Sequence, residues 1–262
     1  MKTWIPPARF LPYLTWPQVA ALPRDRTLLV LPTAAIEQHG HHLPLATDTL
    51  INNFLLGRAL ERLPPEASVY ALAPVCYGKS NEHLGFPGTL AVSRETFMAT
   101  LRDLGASVHA AGFRRLVFFN SHGGNHSLID VMARDLRAEF GLLTFCLYGG
   151  GPASGLGAQE AAYGFHAGEV ETALLLAATP ELVRRDEYTV NYIALAGGEG
   201  VLRPEFAYAT YAWLTRDIAP SGVLGDPTPA TAENGGRWCE EMSARVAAAL
   251  LEMLAYEHPV RS

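Results

Sequence analysis

The sequence predicts an α/β fold, a single-domain sandwich whose mainly parallel β-sheet carries helices on both faces. Short apolar runs rich in Val, Leu and Phe, bounded by turn residues, alternate with stretches of helical periodicity. The runs are apolar at nearly every position, as strands buried on both faces require. At 262 residues the chain is near the ceiling for one hydrophobic core, and no linker-like stretch divides it, so residues 1–262 are read as one domain.

In chain order, the expected strands are 28–32, 69–75, 116–120 and 142–148. Helices are expected over about 49–63, 94–111 and 127–140, then from near Gly168 to just before Pro180, and finally over about 232–256. Three stretches are loops by composition: 149–157, 196–204 and 220–230. The first lacks both GxGxxG spacing and a GK[ST] ending, so a lid or surface loop is a better reading of it than a phosphate cradle.

Hydrophobic residues make up 49% and charged residues 18% of the chain, a globular balance. The formal charge of -6, with no basic stripe, argues against nucleic acid as a partner. The opening MKTWIPPARFLPYLTWP has prolines where a signal peptide needs an unbroken apolar run, and no segment approaches the roughly 18 to 20 apolar residues of a membrane span. A cytoplasmic protein with no membrane partner is expected. Cys76, Cys146 and Cys239 lie far apart with no CxxC pair and read as small buried hydrophobes.

Seven of the nine histidines (His39, His41, His42, His83, His122, His126 and His166) fall in four short polar segments that follow apolar runs. In open α/β sheets, ligands bind beyond the carboxyl ends of the strands, where such loops converge. In LPTAAIEQHGHHLPLATD, an extended backbone points Glu37 and His39 the same way while Gln38 points elsewhere. A carboxylate beside an imidazole suits Zn²⁺ or Mn²⁺, or the two simply hydrogen-bond each other. Asp48 stands where it could cap a helix or bridge two cations. In NSHGGN, His122 follows a strand, and Gly123 and Gly124 permit a tight turn, with positive φ available to both. No G-x-S-x-G elbow surrounds Ser121. In FHAGEVET, His166 precedes Glu169 and Glu171, whose place in a first helical turn is favoured by the helix dipole; two apart, they face different ways. YGKSNEHLGFPGTL adds Ser80, Glu82 and His83.

These segments resemble the creatininase (creatinine amidohydrolase) family, whose members carry P-x-G-[ST]-x-E-Q-H-G-x-H-L-P-x-x-T-D, G-x-S-x-E-H-x-x-F-P-G-T, N-G-H-G-G-N and H-A-G-x-x-E-T blocks in this order and spacing. The late SGVLGDPTPAT stretch is similar too, so the resemblance covers nearly the whole chain. It implies a centre of two divalent ions, zinc and/or manganese, with Glu37, Asp48 and His122 on one, His39, Asp48 and Glu171 on the other, and Asp48 bridging. It also implies hydrolysis of the C–N amide bond of a small cyclic or linear amide by a metal-activated hydroxide, or, in a family peptidase, trimming of a short peptide. His166 would protonate the departing nitrogen, Glu82 and His83 would orient ligands, and Ser80, Gly123, Gly124 and Tyr163 would contact substrate. Homo-oligomers, commonly hexamers, are the family's assembly. Creatinine-cleaving members have a Trp-Asp pair where this chain has Ala162-Tyr163, and a glutamate where Gly124 stands. Creatinine itself is therefore not the expected substrate.

Overall fold

The structure, a computed structural model, describes residues 3–151, 153–193, 201–205 and 208–258; of the loop expected over 196–204, residues 196–200 lie outside these. Four parallel strands form the main sheet in the order β2-β1-β3-β4: β1 (Leu28–Thr33), β2 (Val69–Ala71), β3 (Arg115–Asn120) and β4 (Leu143–Tyr148). Leu28 pairs with Val69 on one side and Arg115 on the other, and Arg115 pairs with Leu143. The helices are α1 (Trp16–Ala20), α2 (Thr47–Glu61), α3 (Arg94–Ala110), α4 (His126–Phe140), α5 (Ala158–Tyr163), α6 (Glu169–Ala178), α7 (Thr215–Ile218) and α8 (Ala232–Ala255). A small parallel pair, β5 (Leu202–Arg203) and β6 (Ala209–Thr210), stands apart from the sheet.

Strand periodicity divides the interior into two cores. Leu28, Val30, Val117 and Phe119 point to the face covered by α2, α6 and α8, while Leu29, Leu31, Leu116 and Phe118 meet α3 and α4 on the other. This two-sided burial is why the runs are apolar throughout. Each fully buried Leu or Phe stabilises the fold by roughly 1.5–3 kcal/mol relative to exposure.

Element ends follow local chemistry. Ser93 caps α3 by accepting from the Thr96 N–H at 3.1 Å, and Thr231 caps α8 by accepting from Asn234 at 3.1 Å. Gly141, at φ +68°, closes α4 in the left-handed conformation. The second strand is shorter than the expected 69–75: it ends at Ala71, and after Pro74 only Val75 rejoins β1, bridging Thr33. Pro32 sits inside the central strand β1. Its carbonyl faces the β2 side, accepting from Val75, so its missing N–H falls where β2 has already ended. Among the described residues no helix is long and apolar enough to cross a membrane.

Candidate metal centre

The polar segments converge beyond the carboxyl ends of β1 and β3. Glu37 and His39 lie on the loop after β1, His122 lies two residues beyond β3, and Glu82 and His83 lie in a 3₁₀ turn (Asn81–His83) after β2. Asp48 sits in the first turn of α2, which starts at residue 47 rather than the expected 49. The N-cap is Ala46 and receives no side-chain hydrogen bond, so Asp48 does not cap this helix. Its carboxylate is buried at the positive end of the helix dipole. Glu171 lies in the first turn of α6 and accepts from the Ala167 N–H at 2.6 Å, with Ala167 held at φ +54°, a left-handed conformation uncommon for a residue with a Cβ. Glu169 joins none of the ligand groups; the charged neighbours of its carboxyl are Glu160 and Asp226.

Two groups of three ligand atoms share Asp48. Glu37, Asp48 and His122 form one, and His39, Asp48 and Glu171 the other, every atom within 4.8 Å of its group. His122 Nδ1 is 3.2 Å from both Glu37 Oε2 and Asp48 Oδ2, and His39 Nε2 is 3.3 Å from Asp48 Oδ1. It is 3.9 Å from Glu37 Oε1 and from Glu171 Oε2. A third group joins His166 to Glu37 and His39.

The tautomers show what this cluster suits. The far nitrogen of each ring donates to a backbone carbonyl: His39 Nδ1 to Glu37 O at 3.2 Å and His122 Nε2 to Lys79 O at 2.9 Å. In the neutral rings, the nitrogens facing the carboxylates are therefore lone pairs aimed at lone pairs. His39 Nε2 and Asp48 Oδ2 are buried without a hydrogen-bond partner. Only positive charge between them relieves this: protons, or cations. Burial works against the His39 cation, yet Asp48, Glu171 and Glu37 raise its pKa to about 9, and the Glu37 and Asp48 carboxylates likewise lift His122 far above the ordinary value despite burial. Burial and the Asp48 charge push Glu171 up to about 7. Two imidazoles and three carboxylates are a donor set for zinc or manganese, so the residues fit a pair of such ions.

Around the cluster sits a supporting layer. Ser80, expected at the substrate, is instead fully buried, and its hydroxyl donates to Glu37 Oε2 at 2.5 Å. Glu82 pairs with Lys79 at 2.8 Å and lies 3.5 Å from His122 Nε2; although burial opposes it, these neighbours bring its carboxyl down to about 2. His83 Nε2 approaches Glu37 Oε1 at 3.5 Å. The His166 ring lies between those of His39 and His83, centroids 4.3 Å from each, with Nε2 donating to Gln38 O at 2.8 Å and Nδ1 3.8 Å from Glu37 Oε1. Burial, then His83 and His39, hold His166 well below the ordinary imidazole pKa.

A cavity of about 590 Å³ opens onto Glu37, Glu82, His83, His122 and His166. Gly123 and Gly124 line it, but neither adopts positive φ. Gly124 is required by space: a Cβ there would lie 2.5 Å from Lys79 O, 2.6 Å from His122 Nε2 and against the Glu82 carboxyl. Tyr163, expected at the substrate, does not line this cavity; its ring stands 5.2 Å from the Arg203 guanidinium carbon in a small neighbouring pocket. Sequence reasoning missed Lys79, Tyr211 and Trp213 on the cavity wall, and Gln38, whose side-chain nitrogen reaches His83 Nδ1 at 2.8 Å. The position of Gln38 between two candidate ligands was the available signal.

Fold and site together define an α/β protein with an acid-and-imidazole cluster at the carboxyl edge of a parallel sheet. The family model for creatininase (creatinine amidohydrolase) matches residues 12–250, and the chain belongs to this family of hydrolases. A mycofactocin precursor peptide peptidase of Mycobacterium ulcerans (strain Agy99) is 37% identical over 228 residues, covering 84% of this chain and 83% of the relative. A creatinine amidohydrolase of Pseudomonas putida is 30% identical over 197 residues, covering 68% and 74%. A creatinine amidohydrolase-like structure from Bacteroides fragilis NCTC 9343 superposes with a TM-score of 0.77 at 27% identity, covering 99% of this chain and 100% of that one. Other structural neighbours are a manganese creatininase and a creatininase variant of Zn-Zn type.

Proposed function

We propose that this chain is a two-metal hydrolase that cleaves an amide bond of a peptide. The observation carrying the proposal is the pair of ligand groups sharing Asp48, in which buried lone pairs face one another. Glu37, Asp48 and His122 would hold one cation, and His39, Asp48 and Glu171 the other. When bound, such a pair supplies Lewis-acid polarisation of the scissile carbonyl and an acidified water.

The chain's own groups do the rest. Ser80 fixes the Glu37 carboxylate, and the Lys79 carbonyl fixes the His122 tautomer, as orienting groups around metal ligands do. His166, with Nε2–H on Gln38 O, keeps Nδ1 toward the cluster, 3.8 Å from Glu37 Oε1, where it can pass a proton to the departing amine. The ionised Glu82 beside Lys79 fixes the charge on one wall.

Peptide substrates are favoured over the small amides first read from the sequence, on two supports. The relatives at 34–37% identity are named for a peptide substrate, and the cavity continues past the cluster to Tyr211 and Trp213. The test is a screen of zinc- or manganese-loaded protein against short peptides, lactams and formamides with amine detection. Peptide cleavage lost on chelation and restored by metal is expected. Protein holding two metal equivalents that cleaves no amide would overturn the proposal.

A further inference from the structure

A second cavity, of about 570 Å³, reaches the same cluster, and His166 and Phe165 line both. Glu37 and His122 face the first cavity, whereas Glu171 faces the second. This accounts for an asymmetry among the candidate ligands: the Glu171 side chain is 25% exposed, against 4% or less for the other four. The cluster is therefore reached from two spaces, with the His166 imidazole between them.

The walls of the second cavity differ from the first. Gly150, Gly151 and Gly155 of the 149–157 loop line it with Leu156 and Val170, and Gly164 and Gly168 lie against the Glu160 carboxyl. Its one other buried carboxylate, Glu160, is satisfied by the Tyr192 hydroxyl at 2.8 Å and by the Glu169 and Asp226 N–H groups at 2.8 and 2.9 Å. What remains is main chain and apolar side chain, with Phe165 beside the aliphatic residues, Glu171 at the cluster end, and the Arg245 and Arg237 guanidinium groups close to Gly151 and Gly155. Such a wall lets an extended chain approach closely and exchange main-chain hydrogen bonds. A small cyclic amide would leave this space unfilled.

We infer that the second cavity is a substrate subsite: it receives the peptide segment on one side of the scissile amide while the first cavity holds the other. The bond cleaved then lies inside a chain, flanked by residues on both sides. This rests on the amide-hydrolysis reading above. The step is unchanged, water giving its OH to the acyl carbon and its hydrogen to the amine nitrogen as the C–N bond breaks.

The experiment uses metal-loaded full-length protein with two probes: a pool of hexapeptides acetylated at the N-terminus and amidated at the C-terminus, and a panel of N-acetyl amino-acid amides. Cut positions are read by mass spectrometry. Cuts at least two residues from either end are expected. Gly150→Trp, at a position where a Cβ meets nothing within 4 Å, fills the second cavity, and Ala161→Phe narrows it from α5. Each should lower the ratio of internal cleavage to small-amide cleavage tenfold or more, a ratio that a general folding defect leaves unmoved. Small-amide cleavage without internal cuts, or an unchanged ratio in both variants, overturns the subsite while leaving the hydrolase reading intact. Cleavage of neither probe by wild-type protein overturns both.

Discussion

Asp48→Asn isolates the shared ligand. The amide keeps the shape of the carboxylate, so packing in the first turn of α2 is preserved, but the charge is lost and one oxygen becomes a donor. Asp48 Oδ1 faces His39 Nε2 at 3.3 Å and Oδ2 faces His122 Nδ1 at 3.2 Å, so both ligand groups are damaged by one substitution. Losing a group that merely orients a ligand costs about 10–100-fold in metal affinity. Losing a shared ligand should cost at least ~100-fold per ion, about 2.8 kcal/mol at about 1.4 kcal/mol per tenfold. A site held at about 100 times its Kd stabilises the fold by about 2.7 kcal/mol, and a chain of this size melts roughly 2–4 °C lower per kcal/mol lost. Loss of one site thus lowers Tm by roughly 5–10 °C. Metal content after dialysis, read by mass spectrometry, and melting with and without added zinc or manganese measure this. Wild-type protein should hold two equivalents and melt higher with metal; the variant should hold fewer than one and show no metal-dependent rise. Two retained equivalents with full activity would refute the shared role.

Ser80→Ala removes the hydroxyl that holds Glu37 Oε2 and should weaken metal binding by about 10–100-fold without unfolding the chain, as a competition titration against a chelator would show. Gly124→Ala forces a Cβ into the space of Glu82 and the Lys79 backbone and should destabilise by about 1–3 kcal/mol in a urea titration; an unchanged midpoint would contradict the packing. In metal-stripped protein the folded-state pKa of His39 is raised to about 9, so the folded chain binds more protons than the unfolded one between the ordinary imidazole value and pH 9. Stability from this group is present below about pH 6.5 and lost as pH rises through 9, so stripped protein should melt lower at pH 9 than at pH 6.5. Bound metal replaces those protons, so loaded protein should lose this slope.

Much of the fold was legible because burial on both faces of the sheet leaves a continuous apolar signal in β1 and β3. The expected second strand ran four residues too far because Val75, beyond Pro74, does rejoin Thr33 as an isolated bridge. Asp48 could not be separated from a helix cap by sequence, since a cap and a ligand are the same residue type at almost the same place. The decision lay in the start of α2 at residue 47, which puts Ala46 at the cap. Trp213 and Tyr211 were invisible for a different reason. They come from a segment between the H-A-G-x-x-E-T block and the late SGVLGDPTPAT stretch, and only the tertiary fold carries it back over His83, whose ring is 6.2 Å from that of Trp213. Gln38 points away from Glu37 and His39, as alternation along an extended backbone requires, and toward the second pair of imidazoles, His83 and His166.

Gly123 and Gly124 bear on what the site accepts. At Gly124 no side chain fits: the Glu82 carboxyl and the Lys79 carbonyl already hold the space. At Gly123 a Cβ would meet nothing within 4 Å, so the wall there is bare main chain beside open volume. Tyr163 adds nothing to this wall, since its ring lies beside Arg203; the aromatic surface there comes from Phe165, Tyr211 and Trp213. For the peptide substrate proposed above, the bare main chain at Gly123 would be wall along which an extended chain can lie, held through its own amides.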